Sequence, residues 1–540
     1  MFTSWVDGRW RTAWSSSREI SVSVPVAVTF MPSGVTAWVS EGETILAAAR
    51  NAGVPIAASC AGRGTCGECG VRLVSGVLQE ADAVEKRGLT RAPDGVRLAC
   101  QARVSGHVTV QPLISLGVQA EQFDPVAGAE LVAAIDLGTT MVGAVVIDRK
   151  SGREIGRSTV ANQQSVWGAD VLSRLSASVS GEDTALRESA ERSIVAALEA
   201  AAPELLLDIS RLVIAGNTAM EALLAGADVS SLATYPFVIP RSRDALSGDS
   251  SLWPRLRDGV RIEVVPPMAS FVGGDVLAGL VAMGIAPGGH PVMLVDVGTN
   301  AEVVLATKKE LFVASAAAGP AFEGGGVSSG GPAIEGAVSS VRIHEDGGVH
   351  LETIGDAGPK WFSGAGLVSA VAALRRVGHL DSSGLLDEKG PLRDRFTQDG
   401  EGVLGVDLGD DTCQLRVTQL DVRTIQLAKA AVRAAVQLVL SRAGVRARKL
   451  SVLYIAGAFG GALEVGDLVE LGVVPEQSGD VVEFVGNTSL RGAAVLALDD
   501  TLWSEARSLA ASALHVDLAV DPEFNTLLIE GVELEPFHAR

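Results

Sequence analysis

Four of the five cysteines in this 540-residue chain lie between positions 60 and 100. Cys60, Cys66 and Cys69 share the loop SCAGRGTCGEC and Cys100 follows in RLACQ, giving the spacing C-x5-C-x2-C-x30-C. Four thiolates arranged as one loop plus a distant partner suit a 2Fe-2S cluster, whose plant-type spacing is C-x4-C-x2-C with a remote fourth Cys. Zinc is the alternative, but zinc sites commonly use two short Cys pairs or a pair with His. Here there is one C-x2-C, and the nearest histidine, His107, lies beyond the fourth Cys. Gly62, Gly64, Gly67 and Gly70 let the backbone fold closely and aim amide N–H groups at sulfur, with Arg63 at the loop surface. Cys413 stands alone in DDTCQLRV and reads as a small core or surface residue.

A second chemistry resides in two copies of one pattern, DLGTT at 136–140 and DVGTN at 296–300. Each ends an apolar run and opens a turn. The hydroxyl and backbone groups of such a turn can hold phosphate oxygens, while its carboxylate holds a hydrated Mg2+ beside an attacking water. Asp136, Gly138, Thr139 and Thr140 form one such set, and Asp296, Gly298, Thr299 and Asn300 the other. The turn IAGAF at 455–459 runs into Gly460 and Gly461, so Gly457, Ala458, Gly460 and Gly461 offer close backbone approach to an adenosine at a helix start. Asn217 and Thr218, in AGNT, line the same cleft. Any one of these motifs alone fits a tight turn in an α/β core, and none of them is a Walker A sequence or a GxGxxG. The paired contexts point to a duplicated fold facing one cleft.

The elements that must position these residues change character along the chain. Residues 1–23 are a Trp-rich extension. Residues 24–112 read as a small mixed unit: a hairpin from VPVAVTF and VTAWVS, a helix in TILAAARNAG between Thr44 and Gly53, the Cys loop, and the strands VRLVSG and HVTVQP. Residues 113–129 read as a linker. Strand–turn–strand and strand–helix units follow, divided as a first half over 130–206 and a C-terminal ATP-binding unit over 207–540, with strands expected in the tail 513–536. Alternating elements of this kind argue for sheets covered by helices.

Lys and Arg number 44 against 64 Asp and Glu, a net charge of −20. So acidic a chain lacks the footprint that neutralises phosphodiesters, which excludes nucleic acid as a partner. No apolar run reaches the 18 or so residues that a spanning helix needs, so no membrane partner is expected. Few cysteines, clustered for metal, indicate a cytoplasmic chain.

Taken in order, DLGTT, DVGTN and YIAGAFGG resemble the two phosphate motifs and the adenosine motif of the acetate and sugar kinase/heat-shock cognate/actin superfamily. That resemblance implies a multidomain α/β chain with two RNase H-like halves closing on ATP and Mg2+. The Cys loop, with its gap of five, is similar to adrenodoxin-like 2Fe-2S ferredoxins of the β-grasp fold. Joined, the two resemble the RACo-type reductive activators of corrinoid proteins from about residue 24 to the end. NQQSVWGADVLSRL, VIAGNTAM, VGGDV, SAAAGPAFEGGG and TQLDVRTIQLAKAAV carry the likeness.

The resemblance implies ATP-assisted transfer of one electron from the cluster to the cobalt(II) corrinoid of a methyl-transfer protein. It also implies an electron-donating reductase or ferredoxin; a homodimer is left open. The loop SAAAGPAFEGGGVSSGGPAIEG has two readings. It is either a mobile surface bringing Ser315, Ser328 or Ser329 to the cobalt, or a phosphate-side turn of the cleft. A small-molecule kinase with a regulatory iron–sulfur domain, or a ferredoxin fused to a nucleotide-binding scaffold, is the rival activity.

Overall fold

The computed structural model describes residues 3–6, 9–12, 25–56, 58, 62–64, 69–89, 95–113, 119–123, 128–240, 255–256, 259–400, 402–410, 413–457 and 463–538. Cys60, Cys66, Ala458, Gly460 and Gly461 lie outside them. In the N-terminal extension, Thr3–Val6 pairs antiparallel with Arg9–Thr12.

Alternation in VAVTF buries every second side chain of β1 (Val26–Phe30), which pairs antiparallel with β2 (Val35–Val39). Helix α1 (Ile45–Ala52) follows, capped by Thr44, whose hydroxyl accepts the Ala47 N–H at 3.1 Å, and closed by Gly53. With β3 (Gly70–Ser75), β4 (Val96–Leu98) and β5 (Val108–Pro112) the sheet order is β2-β1-β5-β3-β4. Ile45, Leu46, Ala48 and Ala49 of α1 are buried against it. This is the expected β-grasp unit.

The first half is a six-stranded sheet. It comprises β6 (Gln119–Gln122), β7 (Leu131–Leu137), β8 (Met141–Asp148), β9 (Glu154–Ala161), β10 (Ile209–Gly216) and β11 (Arg261–Val264), in the order β11-β10-β7-β8-β9-β6. Its helices include α2 (Val171–Ala177), α3 (Asp183–Ala201), α4 (Thr218–Leu224) and α5 (Gly274–Met283), with a 3-10 turn at Gln163–Trp167. The second half repeats the plan with β12 (Val292–Val297), β13 (Ala301–Ala306), β14 (Leu311–Ala316), β15 (Val452–Gly457), β16 (Val482–Gly486) and β17 (Ala513–His515), ordered β16-β15-β12-β13-β14-β17. Helices α6 (Gln419–Ala443) and α7 (Thr488–Leu498) belong to it. In both sheets the strand ending in the Asp loop starts an antiparallel meander of three and runs parallel to the later strand beside it. Two small three-stranded sheets, one of them over 396–418, flank the second half. Among the described residues no helix is long and apolar enough to cross a membrane.

Three expectations change. A division at 206/207 falls between α3 and β10 of one sheet, because β10 pairs parallel with β7. The stretch 113–129 supplies β6, which pairs with β9. Of the tail, only Ala513–His515 is a strand, and Phe524–Glu530 is a helix whose flank packs on the second-half core.

The two halves meet where α5 crosses α7, over a core that includes Val132, Leu277 and Leu280 of the first half and Leu294, Ala493 and Leu496 of the second. The backbones approach so closely that a Cβ on Gly492 would fall 1.9 Å from the Ala278 carbonyl oxygen. Alanine is the better helix former by about 1 kcal/mol, whereas overpacking costs ~1–3 kcal/mol. Gly492→Ala is therefore expected to lower the thermal midpoint of the two six-stranded halves, followed by circular dichroism, while visible cluster absorption survives. A raised midpoint would show that the crossing has room to spare.

Candidate functional site

Strands β7 and β12 end alike. Residues 133–140 and 293–300 share one burial sequence, with Asp136 and Asp296 half-buried and Thr139 and Thr299 buried. The first loop is held from its own half by buried amides and a guanidinium. Asn162 Nδ2 donates to the Gly138 carbonyl at 2.8 Å, Arg174 Nη2 to the Thr139 carbonyl at 2.6 Å, and Asn217 Nδ2 to Thr139 Oγ1 at 3.1 Å. Asn217 also caps α4, accepting the Ala219 and Met220 N–H groups. Thr218 is turned away, donating to the Ala269 carbonyl at 2.8 Å. Arg174 is fully buried, and desolvation lowers its pKa to about 9. Asp136 is held from the other half, accepting Asn487 Nδ2 at 2.6 Å and Ser489 Oγ at 2.7 Å from the start of α7.

The second loop is held by Glu323. Its Oε1 accepts the Thr299 N–H at 2.7 Å and the Thr299 hydroxyl at 3.0 Å, and its Oε2 accepts the Thr140 hydroxyl of the first loop. One carboxylate thus spans both loops. Gly298 N–H donates to the Asn300 carbonyl at 3.0 Å, which tightens the turn. Gly457 lies beside Val297 on β15, at φ 112°, where a Cβ would sit 2.2 Å from the Val297 oxygen. Only glycine fits that left-handed, crowded position.

More carboxylates crowd the cleft than the two strand ends supply. Asp275 opens α5, and Glu302 stands opposite Asp296 across the β12–β13 pair. Burial raises Asp296 to about 8, with Asp275, Asp136 and Glu323 adding to it, and raises Asp275 to about 7. Asp136 is raised by burial, less its bonds to Ser489 and Asn487. Glu302 and Glu221 are pushed well above the usual carboxylate range by burial and by Asp275. Asp275 and Glu323 lie inside VGGDV and SAAAGPAFEGGG, where flanking glycines and small residues give a single carboxylate no spacing signal. The signal for Glu302 was a lone carboxylate in the apolar strand AEVVLA.

Ser315 donates to Glu302 at 3.1 Å, Ser328 to Asp421 of α6 at 3.1 Å, and Ser329 Oγ accepts the Arg416 N–H at 3.0 Å. Glycines in this loop serve close packing: a Cβ on Gly324 would meet the Gly331 oxygen at 2.3 Å. Through Glu323 the loop is tied to both Asp-x-Gly-Thr turns. Two histidines hold backbone: His107 Nδ1 accepts the Ala27 N–H at 2.8 Å, and buried His379 accepts the Leu392 N–H at 2.9 Å.

At the other site, the β3–β4 hairpin places Gly70 opposite Leu98, so Cys69 and Cys100 flank the same end. Both are buried, and the Ala99 N–H donates to the Cys69 carbonyl at 2.8 Å. Gln101 Nε2 donates to the Gly62 carbonyl at 2.8 Å and to Cys100 Sγ at 3.5 Å. Thiolate donors with an amide aimed at sulfur fit an iron–sulfur centre. Cys413 lies elsewhere, against the Lys360 carbonyl.

The carboxylate crowding has a sign that can be measured. A carboxyl titrating near 8 when folded and near 4 when unfolded binds its proton more tightly in the native state, so its contribution falls as pH rises through that window. In chelator at pH 8.5, Asp296→Asn is expected to melt at least about 2 °C above the parent. At pH 5, where Asp296 is neutral, the gap should close. A variant that melts lower at pH 8.5 would show Asp296 to be stabilising as an anion.

Comparison with known proteins agrees with this architecture. Residues 28–105 match the 2Fe-2S iron-sulfur cluster binding domain, 131–287 the RACo middle region, and 290–538 the C-terminal domain of RACo, the ASKHA domain. The "Corrinoid activation enzyme RamQ" of Eubacterium limosum is 30% identical over 410 residues, covering 72% of this chain and 68% of that protein. The "Co(II) methylated amine-specific corrinoid protein reductase" of Methanosarcina barkeri is 25% identical over 451 residues, 75% of this chain and 78% of that one. A solved "Reductive activator for corrinoid, iron-sulfur protein" shares the fold, with a TM-score of 0.69 at 23% identity over 95% of this chain and 98% of that one. A ferredoxin-like 2Fe-2S unit, a duplicated sheet plan and these relatives together make the chain a member of the RACo-type reductive activators of corrinoid proteins.

Proposed function

We propose that this chain is an ATP-dependent activator that passes one electron to the cobalt(II) corrinoid of a methyl-transfer protein and so restores cobalt(I). The observation that carries the reading is the Glu323 bridge. A gap that one carboxylate spans, from Thr140 to Thr299, is a gap that one polyphosphate fills from both sides. Gly138, Thr139 and Thr140 then take the phosphates from one half and Gly298, Thr299 and Asn300 from the other. Asn217 orients Thr139, while Gly457, Ala458, Gly460 and Gly461 receive the nucleoside.

The donor set of Asp136, Asp275 and Asp296 is all oxygen, which suits Mg2+. Among the described residues no three His, Cys, Asp or Glu side chains converge on one point; one or two of these carboxylates would hold the ion, which usually keeps water and substrate phosphates for the rest. When bound, Mg2+ supplies the positive charge that lets the crowded carboxyls ionise. Asp136 and Asp296, as anions, then orient and deprotonate the water that attacks the terminal phosphate. At the other site Cys60, Cys66, Cys69 and Cys100 hold a 2Fe-2S cluster, which supplies a one-electron carrier charged by a reductase or ferredoxin. Ser328 is the exposed one of the three loop serines and is our choice for the side chain that meets the corrinoid partner.

Coupling to ATP follows from energetics. Plant-type clusters lie near −400 mV, and a cobalt(II) acceptor lower still costs about 2.3 kcal/mol per 100 mV. Product accumulates only if a second free energy, differential binding of the two redox states, is linked to the transfer.

Two measurements test the reading. Cys69→Ala or Cys100→Ala should abolish the visible absorption and the reduced-state EPR signal, whereas Cys413→Ala keeps both; zinc in place of two irons would overturn the cluster. With a strong reductant and a corrinoid protein, the cobalt(I) absorption band should grow with ATP and fail to do so in Asp296→Ala. Equal bands with and without ATP would leave an uncoupled ferredoxin, and ATP turnover needing no corrinoid protein would indicate a kinase.

A further inference from the structure

The stretch NQQSVW joins the two sites. Its Asn162 holds the Gly138 carbonyl by its side chain and the Thr140 carbonyl by its own N–H, at 2.9 Å. The 3-10 turn that follows, Gln163–Trp167, is held at its far end by Arg174, which donates both to the Gly168 carbonyl and to Thr139 of the phosphate loop. The Val166 carbonyl in that turn accepts two N–H groups from Arg50, Nη2 at 2.6 Å and Nε at 3.2 Å, and the Arg50 guanidinium lies over the Trp167 ring at 5.6 Å. Arg50 belongs to α1 of the ferredoxin unit. The other end of α1 is bonded to the turn that carries Cys100: the Leu46 N–H donates to the Ala99 carbonyl at 2.8 Å and the Ile45 N–H to the Ala102 carbonyl at 3.0 Å. Gly53 leaves no slack beside this contact, since a Cβ there would fall 2.8 Å from Gln163 Oε1.

Every link between the Cys100 turn and the 138–140 loop is therefore a hydrogen bond or a packed element. We propose that Arg50 is the positioning residue through which nucleotide at the first phosphate loop changes the reduction potential of the cluster, an inference that rests on the nucleotide and cluster assignments above. The charge logic gives the direction. Arg50 is half-buried, and its charge is felt by Glu182 and by the Cys100 sulfur. A cation beside the cluster favours its reduced, more negative form and raises the potential, since net charge and hydrogen bonding set that potential. Phosphate in the 138–140 loop competes for the groups that fix the 3-10 turn. The turn shifts, Arg50 is drawn with the Val166 carbonyl away from the cluster, and the potential falls. That change favours donation to a low-potential acceptor.

The test is a redox titration of the full holoprotein, followed by the EPR signal of the reduced cluster, with and without Mg2+ and a non-hydrolysable ATP analogue. Nucleotide binding is measured separately by calorimetry. In the parent chain the potential should fall when the analogue binds. In Arg50→Gln it should already lie low and stay there, with two irons per chain and with an affinity for the analogue that no longer differs between the oxidised and reduced protein. If Arg50→Gln does not take up its cluster, Arg50→Lys carries the test, because it keeps a cation but cannot grip one carbonyl with two N–H groups. A full shift in a loaded variant overturns the proposal. So does an unmoved potential in the parent chain that still binds the analogue, an outcome that leaves the activator reading intact. Absence of nucleotide binding overturns both.

Discussion

Two acidic strand ends aimed into one cleft are the constraint to which the rest of the duplicated halves answer. Asp136 and Asp296 sit at equivalent points of duplicated sheets, and Asp275, Glu302 and Glu323 join them. Unpaired charge in a desolvated cleft is costly, so every neighbour compensates. Asn487 and Ser489 hold Asp136, Glu323 spends its oxygens on two threonine hydroxyls and an amide, and Asp296 keeps its proton to about pH 8. The α5–α7 crossing matters here because it brings Gly279 of α5 against Thr488 of α7, and Thr488 stands between the Asn487 and Ser489 that hold Asp136. The cost of so many carboxyls in one cleft is met by these neighbours and by protons, which is why the supports are as specific as the strand ends themselves.

What could be read from the residues divides along a physical line. Local signals were legible. Apolar runs ending in Asp-x-Gly-Thr predicted β7 and β12, Thr44 and Gly53 bracketed α1, and the Cys spacing implied the 2Fe-2S unit that residues 28–105 match. Long-range pairing was not. Nothing in residues 119–122 announces an edge strand, because QAEQ is polar and is a strand only by virtue of β9 beside it. The boundary at 206/207 failed for the same reason: a parallel partner such as β10 is chosen by topology, and its sequence reads the same in either half.

The site shows the same limit. The residues that bear the turn motifs were visible, since glycine and Asp-Thr pairs carry their chemistry in their spacing. Their supports were not. Arg174 comes from a helix, Glu323 from a Gly-rich loop and Asn487 from the far end of the chain, and each acquires meaning only when the fold sets it against a loop 35, 183 or 351 residues away. Buried polar groups demand partners, but sequence does not say which.

Duplication also hides an asymmetry. Apart from Asp136 and the Thr140 hydroxyl, the 136–140 loop is supported by its own half, through Asn162, Arg174 and Asn217, and those supports lead by way of the Gln163–Trp167 turn to the ferredoxin unit. The second loop is supported by Glu323, and the chain beyond it runs to the Ser328–Asp421 contact at the head of α6. Like strands with unlike supports give each half its own connection, one toward the cluster and one toward the surface loop. A ligand gripped by both loops acts on both connections at once. A chain that must join an electron carrier to a partner protein needs such a junction, and two copies of one sheet with different attachments provide it without a third binding element.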